Sequence, residues 1–287
     1  MGAGVLSRAV ELLRSGQIRR LSRGAWDELE NLCRTKYELL EADLRHLKYK
    51  LKYQQAAPDP YNVIEIDPAR VNHILAPSFQ VDRSKAGSYV RGGNWDQSIS
   101  DKRLFYAGSY EDAFDQRQTI PFENYLLYQS CLQHFQHGVP WEETEWYAWI
   151  LDNLQKDIGG YGTREAVNER LAYLDDLYTD IEENGYKSSA ELGNIPKHCG
   201  KHPGLCDVLI NIGRDGTYIL DDGKHRFILA KILGVDRIPA RIFVRHAEWQ
   251  RLRHQVTTTG SKEAIDWDKR RVTHPDVEIQ DGRNDSA

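Results

Sequence analysis

Cysteine is scarce in this 287-residue chain, and its four copies, Cys33, Cys131, Cys199 and Cys206, are scattered. That number and spacing exclude a disulfide framework as the source of stability. Long hydrophobic runs are also missing, and no segment approaches the roughly 18 consecutive apolar residues that a membrane span needs. The opening MGAGVLSRAVELLRSG has neither the apolar core nor the cleavage signal of a secretory peptide. Leu6 stands where N-myristoylation wants Ser or Thr. An overall excess of positive charge is absent: the formal net charge is −5, so bulk charge does not make the chain a polyanion binder. There is no internal repeat and no low-complexity tract. Together these absences predict a cytoplasmic protein whose length and apolar content suffice for a core.

What charge there is lies unevenly. Residues 1–53 hold eleven Lys and Arg against seven Asp and Glu, which leaves the acidic excess to the rest of the chain. Val5, Ala9, Leu12 and Leu13 share one helical arc over 5–21, and 26–53 read as a longer helix. Leu40, Leu44, Leu47 and Leu51 form the stripe of that longer helix, flanked by Arg45, Lys48, Lys50 and Lys52. AAPDP (56–60) stops it. This arm, 1–56, has two readings: it lies on an anionic membrane surface, which would make the protein peripheral to the membrane, or it packs on the body or on a second subunit of a homodimer.

Beyond the arm, YNVIEI (61–66) alternates like a strand and meets Asp67-Pro68, a helix-start signal. An irregular polar segment covers 79–98. Helices are expected over 122–136, 140–157 and 163–184, the last with Val167, Leu171, Leu174, Leu177 and Ile181 on one face and Gly185 as its stop. Strands follow at 207–212 and 217–221, then a helix to about Leu233, Gly234, and the strand IPARIFVRH (238–246). The body is thus an α/β domain over 57–250 with a helical insertion at about 100–160, and 251–287 read as a charged, disordered tail.

ILDDGKHRFILAKILG (219–234) carries the chemistry. A strand feeding a tight turn into a helix exposes N–H groups that have no partner within the helix, at the positive end of its dipole. Gly223 lets backbone approach closely, Lys224 supplies a point charge, His225 a switchable donor, and Arg226 a bidentate fork for phosphate oxygens. Asp221 and Asp222 would repel a bare phosphate; they suit a metal–nucleotide, a substrate hydroxyl or the pinning of the turn. The alternative is a capped, charged surface turn.

The run DVLINIGRDGTYILDDGKHRFILAKILGVDRIPARIFV resembles the core of the ParB/sulfiredoxin superfamily: two short strands, the phosphate turn, an Ala- and Leu-rich helix, then Gly and a strand, here IPARI. VIEIDPARV (63–71) and the helix 163–184 resemble it more weakly. The chain as a whole is most similar to archaeal proteins with a ParB-like domain, which implies a small mixed-sheet α/β fold and no particular activity. In partition proteins the corresponding Gly-Glu-Arg-Arg contacts CTP phosphates, at the places of Gly223, His225 and Arg226, but no helix-turn-helix DNA reader follows here. In sulfiredoxins the turn is Gly-Cys-His-Arg; Lys224 stands in the place of that Cys, which excludes sulfinate reduction by that route. In free-serine kinases the turn Asp-Gly-His-Thr-Arg matches Asp222, Gly223, Lys224, His225 and Arg226. The second catalytic carboxylate of that group lies N-terminally, where Glu65 or Asp67 would supply it.

The turn shared with these groups implies a nucleotide (ATP, ADP or CTP) with Mg²⁺, and the acid shared with the free-serine kinases implies phosphoryl transfer to a small hydroxylated, sugar or lipid-linked substrate, with Asp222 and Glu65 catalytic. A nucleotide-dependent switch or DNA-associated module is the alternative, nucleic acid ranks lower as a partner, and a ParB-like nuclease ranks last. RGGNWD (91–96) is a second candidate: Arg91 and its glycines as a clamp, Trp95 stacking on a ring, Asp96 accepting a hydroxyl, against a loop with a buried Trp anchor. His198, Cys199, His202 and Cys206 are metal-type ligands whose spacing fits no zinc module. His134 and His137 read as packing or surface residues, and Trp141, Trp146 and Trp149 as core.

Overall fold

The apolar run VLINI is the centre of the architecture. All five of its residues are buried, as expected for a strand flanked on both edges and covered on both faces. The computed structural model describes residues 23–76, 88–98, 103, 118–157, 160–188, 191–192, 208–259 and 274–277, and in the first helix the side chains of 36, 37 and 39 onward.

Six helices and seven strands are present among these residues. They are α1 (Arg23–Tyr53), β1 (Val63–Ile66), β2 (His73–Leu75), β3 (Tyr89–Arg91), β4 (Thr119–Pro121), α2 (Leu126–His137), α3 (Glu145–Asp152), α4 (Arg164–Asn184), β5 (Val208–Ile212), β6 (Tyr218–Asp222), α5 (Lys224–Ile232), β7 (Ile238–His246) and α6 (Ala247–Thr259). The strands make one mixed sheet in the order β1-β7-β5-β6-β2-β4, with β3 pairing parallel to the C-terminal half of β7. β5 runs parallel to β7 and antiparallel to β6, and β6 parallel to β2. The α/β class read from the sequence is the class of the structure.

Successive residues of the central strands point to opposite faces. Ile210 and Leu220 join the main core with Phe227, Ile228, Trp146, Leu171 and Leu174 of the helices. Leu209 and Ile219 join a second cluster with Leu75, Tyr89, Trp95, Phe243 and Val244. Local signals fix the helix ends: Thr163 Oγ1 accepts from the Ala166 N–H, Thr144 Oγ1 from the Tyr147 N–H, and left-handed Gly138 closes α2.

Several boundaries differ from expectation. The stretch read as a helical insertion belongs to the core: β4 pairs with β2, and Leu127, Cys131, Trp146 and Ile150 are buried with the sheet. The irregular segment 79–98 contains β3. The tail begins later than residue 251, because α6 continues to Thr259 and buries Trp249, Gln250 and Val256. The Gln250 amide donates to the Ala56 carbonyl (2.7 Å), and the His254 ring meets the Tyr53 carbonyl (3.1 Å), so α6 docks on the end of the arm. Within the same expected tail, His274, Asp276 and Val277 are buried. The expected helix 5–21 and the cluster His198, Cys199, His202 and Cys206 lie outside the described residues.

Candidate functional site

At the end of β6 the chain turns through Gly223 into α5. Gly223 has φ +80°, and a Cβ added there would lie 2.9 Å from the Val208 Cα. Glycine is therefore required by backbone conformation and by the closeness of β5 together. The Gly223 carbonyl accepts the Phe227 N–H (3.0 Å), which starts α5 directly after the turn. Lys224, His225 and Arg226 occupy its first turn, and with Asp222 all are half-buried. Loss of hydration pushes the Lys224 ammonium below the usual lysine range, while the nearby Asp221 carboxylate works the other way.

The other end of α5 is clamped. Lys231 Nζ donates to the carbonyls of Pro68 (2.9 Å) and Val71 (3.1 Å), tying the helix to the turn after β1. Beneath the seat, Asp221 is buried and its Oδ2 accepts the Asn211 amide (2.7 Å). Asn211 Oδ1 in turn accepts the Val244 N–H (3.1 Å), at the place where the β5–β7 register shifts. The sequence marks Asn211 only as the one polar residue inside VLINI. It links three strands under the turn.

Glu65 does not reach this site. It is exposed on β1, the edge of the sheet, and β7 and β5 separate it from β6. Three inter-strand steps are roughly 14 Å, too far for a second carboxylate at one reacting centre. Asp67, the other candidate, uses Oδ1 to accept the Ala69 N–H (2.8 Å) and caps the short turn 68–70.

RGGNWD is also separate. Asp96 receives the Nε and Nη2 of Arg214 (2.8–3.1 Å) and its backbone N–H (2.7 Å), and Arg214 sits in the turn that precedes β6. The Gly223 seat follows the other end of β6, about 17 Å away along a five-residue strand. Trp95 is buried, packs in the second cluster and lies against His246 (5.8 Å between ring centroids). Its Nε1 donates to the Arg91 carbonyl, at 3.4 Å. His246 Nδ1 accepts the Glu248 N–H, leaving its Nε2 to donate to the Gly93 carbonyl (2.9 Å). Burial works to raise the Asp96 pKa, but the side-chain and backbone hydrogen bonds from Arg214, together with its charge, outweigh it and hold the carboxyl below its usual range. Trp95 and Asp96 thus anchor the loop; Arg91 is exposed, at the end of the sheet away from Gly223. The physical reason is composition: an indole and a carboxylate beside two glycines serve an anchored loop as well as a ligand clamp.

Other sequence readings find their places. His134 stacks on Trp141 (4.1 Å, 19°), and both contact Asp175, at 3.2 and 2.9 Å. Trp141 and Trp146 are buried. Among the described residues no helix is long and apolar enough to cross a membrane, and no group of three or more His, Cys, Asp and Glu is arranged for a metal ion. Set beside known proteins, the chain matches no family model, no curated sequence and no solved structure.

Proposed function

We propose that the chain binds a nucleotide, ATP, ADP or CTP, by its phosphates at Gly223–Arg226, and transfers a phosphoryl group to a small hydroxylated, sugar or lipid-linked acceptor. One observation carries this reading: left-handed Gly223 delivers three consecutive basic side chains, Lys224, His225 and Arg226, onto the first turn of a helix, each partly withdrawn from water. The N–H groups and dipole of that turn favour an anion, and Arg226 adds a fork that matches phosphate oxygens. The resemblance of this turn to the phosphate turns of ParB/sulfiredoxin domains supports the same reading.

In the transfer, Asp222 accepts the proton of the acceptor hydroxyl. The acceptor oxygen bonds to the terminal phosphorus, and the bond to the bridging oxygen breaks, releasing the shortened nucleotide. Mg²⁺ supplies neutralisation of phosphate charge in such reactions and is held by one or two carboxylates plus the phosphates themselves. Asp222 would be the carboxylate for that ion or for the proton, and magnesium would enter with the nucleotide rather than occupy a site built of protein ligands alone.

A nucleotide-dependent switch without turnover is the second reading, favoured by the distance from the seat of Glu65, the second acid that a kinase of this type would use. Incubation with each nucleotide and Mg²⁺, with and without hydroxylated acceptors, separates the two. Acceptor-dependent nucleotide consumption, lost in Asp222→Asn while binding persists, supports transfer. Binding without consumption supports the switch. Absence of binding by every nucleotide sinks both.

A further inference from the structure

The helix α1 has two faces of different fate. Toward the body, Ala42 is buried and Leu39 half-buried, the Arg45 guanidinium lies 3.8 Å over the Tyr89 ring, and His46 Nδ1 meets the Pro58 carbonyl at 2.8 Å. Tyr49 Oη accepts the Val90 N–H, and Tyr53 is buried beside His254. On the opposite side stand Tyr37, Leu40, Leu44, Leu47 and Leu51, each between 56 and 83% exposed. They are five of the eight large apolar side chains that stand out in solvent among the described residues. Such a continuous apolar row facing solvent marks a contact.

Their spacing is 3, 4, 3, 4, the period of a coiled-coil seam, with Tyr37, Leu44 and Leu51 at a positions and Leu40 and Leu47 at d. At about 100° per residue, this seam lies half a turn from the residues that hold the body, so α1 presents it outward. The flanks are of mixed sign: Lys36, Asp43 and Lys50 at g, Glu41 and Lys48 at e. In a parallel pair each g residue meets the e residue five positions on in the other helix. Lys36 then meets Glu41, and Asp43 meets Lys48, opposite charges both times. A membrane surface would favour Lys and Arg on the polar flanks, and Glu41 and Asp43 are placed against that.

We propose that α1 forms a parallel two-stranded coiled coil with α1 of a second copy of this chain, through Tyr37, Leu40, Leu44, Leu47 and Leu51. The narrow a/d stripe, flanked by exposed charged side chains and with the opposite side of the helix packed on the body, suits two strands rather than a larger bundle.

The test is the mass of the full chain by light scattering or sedimentation. The wild type should have twice the chain mass, and Leu44→Glu with Leu47→Glu should have the chain mass at unchanged helicity, since both side chains are exposed. Asp43→Lys should weaken the dimer about tenfold by setting like charges against each other at the Lys48 contact, and adding Lys48→Asp should restore it. That rescue also isolates the charge pairing from the hydrogen bond Asp43 accepts from Tyr61 (2.8 Å), which stays lost in the double variant. A monomeric wild type, a dimer that ignores the Leu44 and Leu47 changes, or failure of the double swap to rescue would overturn the proposal. So would a monomer that floats with vesicles containing anionic phospholipid and loses flotation when Leu44 and Leu47 are replaced by Glu.

Discussion

Arg245 and Asp276, 31 residues apart, form an ion pair in which each side chain is only 1% exposed. Arg245 Nε and Nη2 donate to the carboxylate (2.6–3.2 Å), Trp249 Nε1 adds a bond of 2.9 Å, and Arg253 Nε donates to the Asp276 carbonyl (2.6 Å). Ser88 Oγ takes a further hydrogen bond from Arg245 Nη1. Burial alone would raise the Asp276 pKa, but the charges of Arg245 and Arg253 prevail and hold it far below the usual carboxylate range. Residues 274–277 are therefore a structural part of the domain. Asp276→Asn, which leaves Arg245 buried without its charge partner, should cost about 3–5 kcal/mol in urea unfolding.

The neighbouring His274 gives this contact a pH dependence. Its Nδ1 accepts the Asp276 N–H and its Nε2 faces the Gly216 carbonyl, so the ring is held neutral. Burial lowers its pKa to about 4, with Asp276 opposing. The unfolded chain takes up a proton near pH 6.5, before the folded one does, so protonation favours unfolding. The His274 contribution is thus complete above about 6.5 and declines as the pH falls toward 4. Thermal unfolding should show lower stability through that window, and His274→Asn should flatten the slope. An unchanged slope would place His274 outside this contact.

Gly223→Ala should destabilise the fold by about 2 kcal/mol or more, from the left-handed backbone and from the approach of the new Cβ to Val208. Gly234→Ala, at φ +66° but with open space around its Cβ, serves as the control and should cost less. Chemical denaturation of the two variants checks the order.

The loop 91–96 tests anchoring against ligand contact. Arg214→Ala removes the partner of a buried carboxylate and should cost about 2 kcal/mol of stability, with nucleotide affinity unchanged because the Gly223 seat lies at the other end of β6. Denaturant midpoints and binding isotherms on the same preparation measure both. A loss of affinity at full stability would return RGGNWD to the binding site.

Where the sequence carried a strong local period, the structure followed it. IPARIFVRH is β7 residue for residue, and the Thr163 cap and Gly185 stop bracket α4 within one residue of expectation. The phosphate-like turn was legible because strand, glycine and helix are consecutive. β2, β3 and β4 were not, since three-residue strands such as His73–Leu75 hold no full period and owe their pairing to β6, β7 and one another. Asn211 and Asp276 escaped because their roles come from partners 10 or more residues away. The same holds for Glu65: the motif offered a carboxylate, and only the strand order shows that it is misplaced.

The central claim is that Gly223–Arg226 receives the phosphates of a nucleotide. Isothermal titration of the full chain with ATP, ADP and CTP in the presence of Mg²⁺, beside the folded Arg226→Ala variant, tests it most directly. Saturable binding of at least one nucleotide is expected, with a loss of about ten- to a hundredfold in the variant, the worth of one charge-assisted hydrogen-bonded group. Binding of equal strength by both proteins, or by neither, would contradict it.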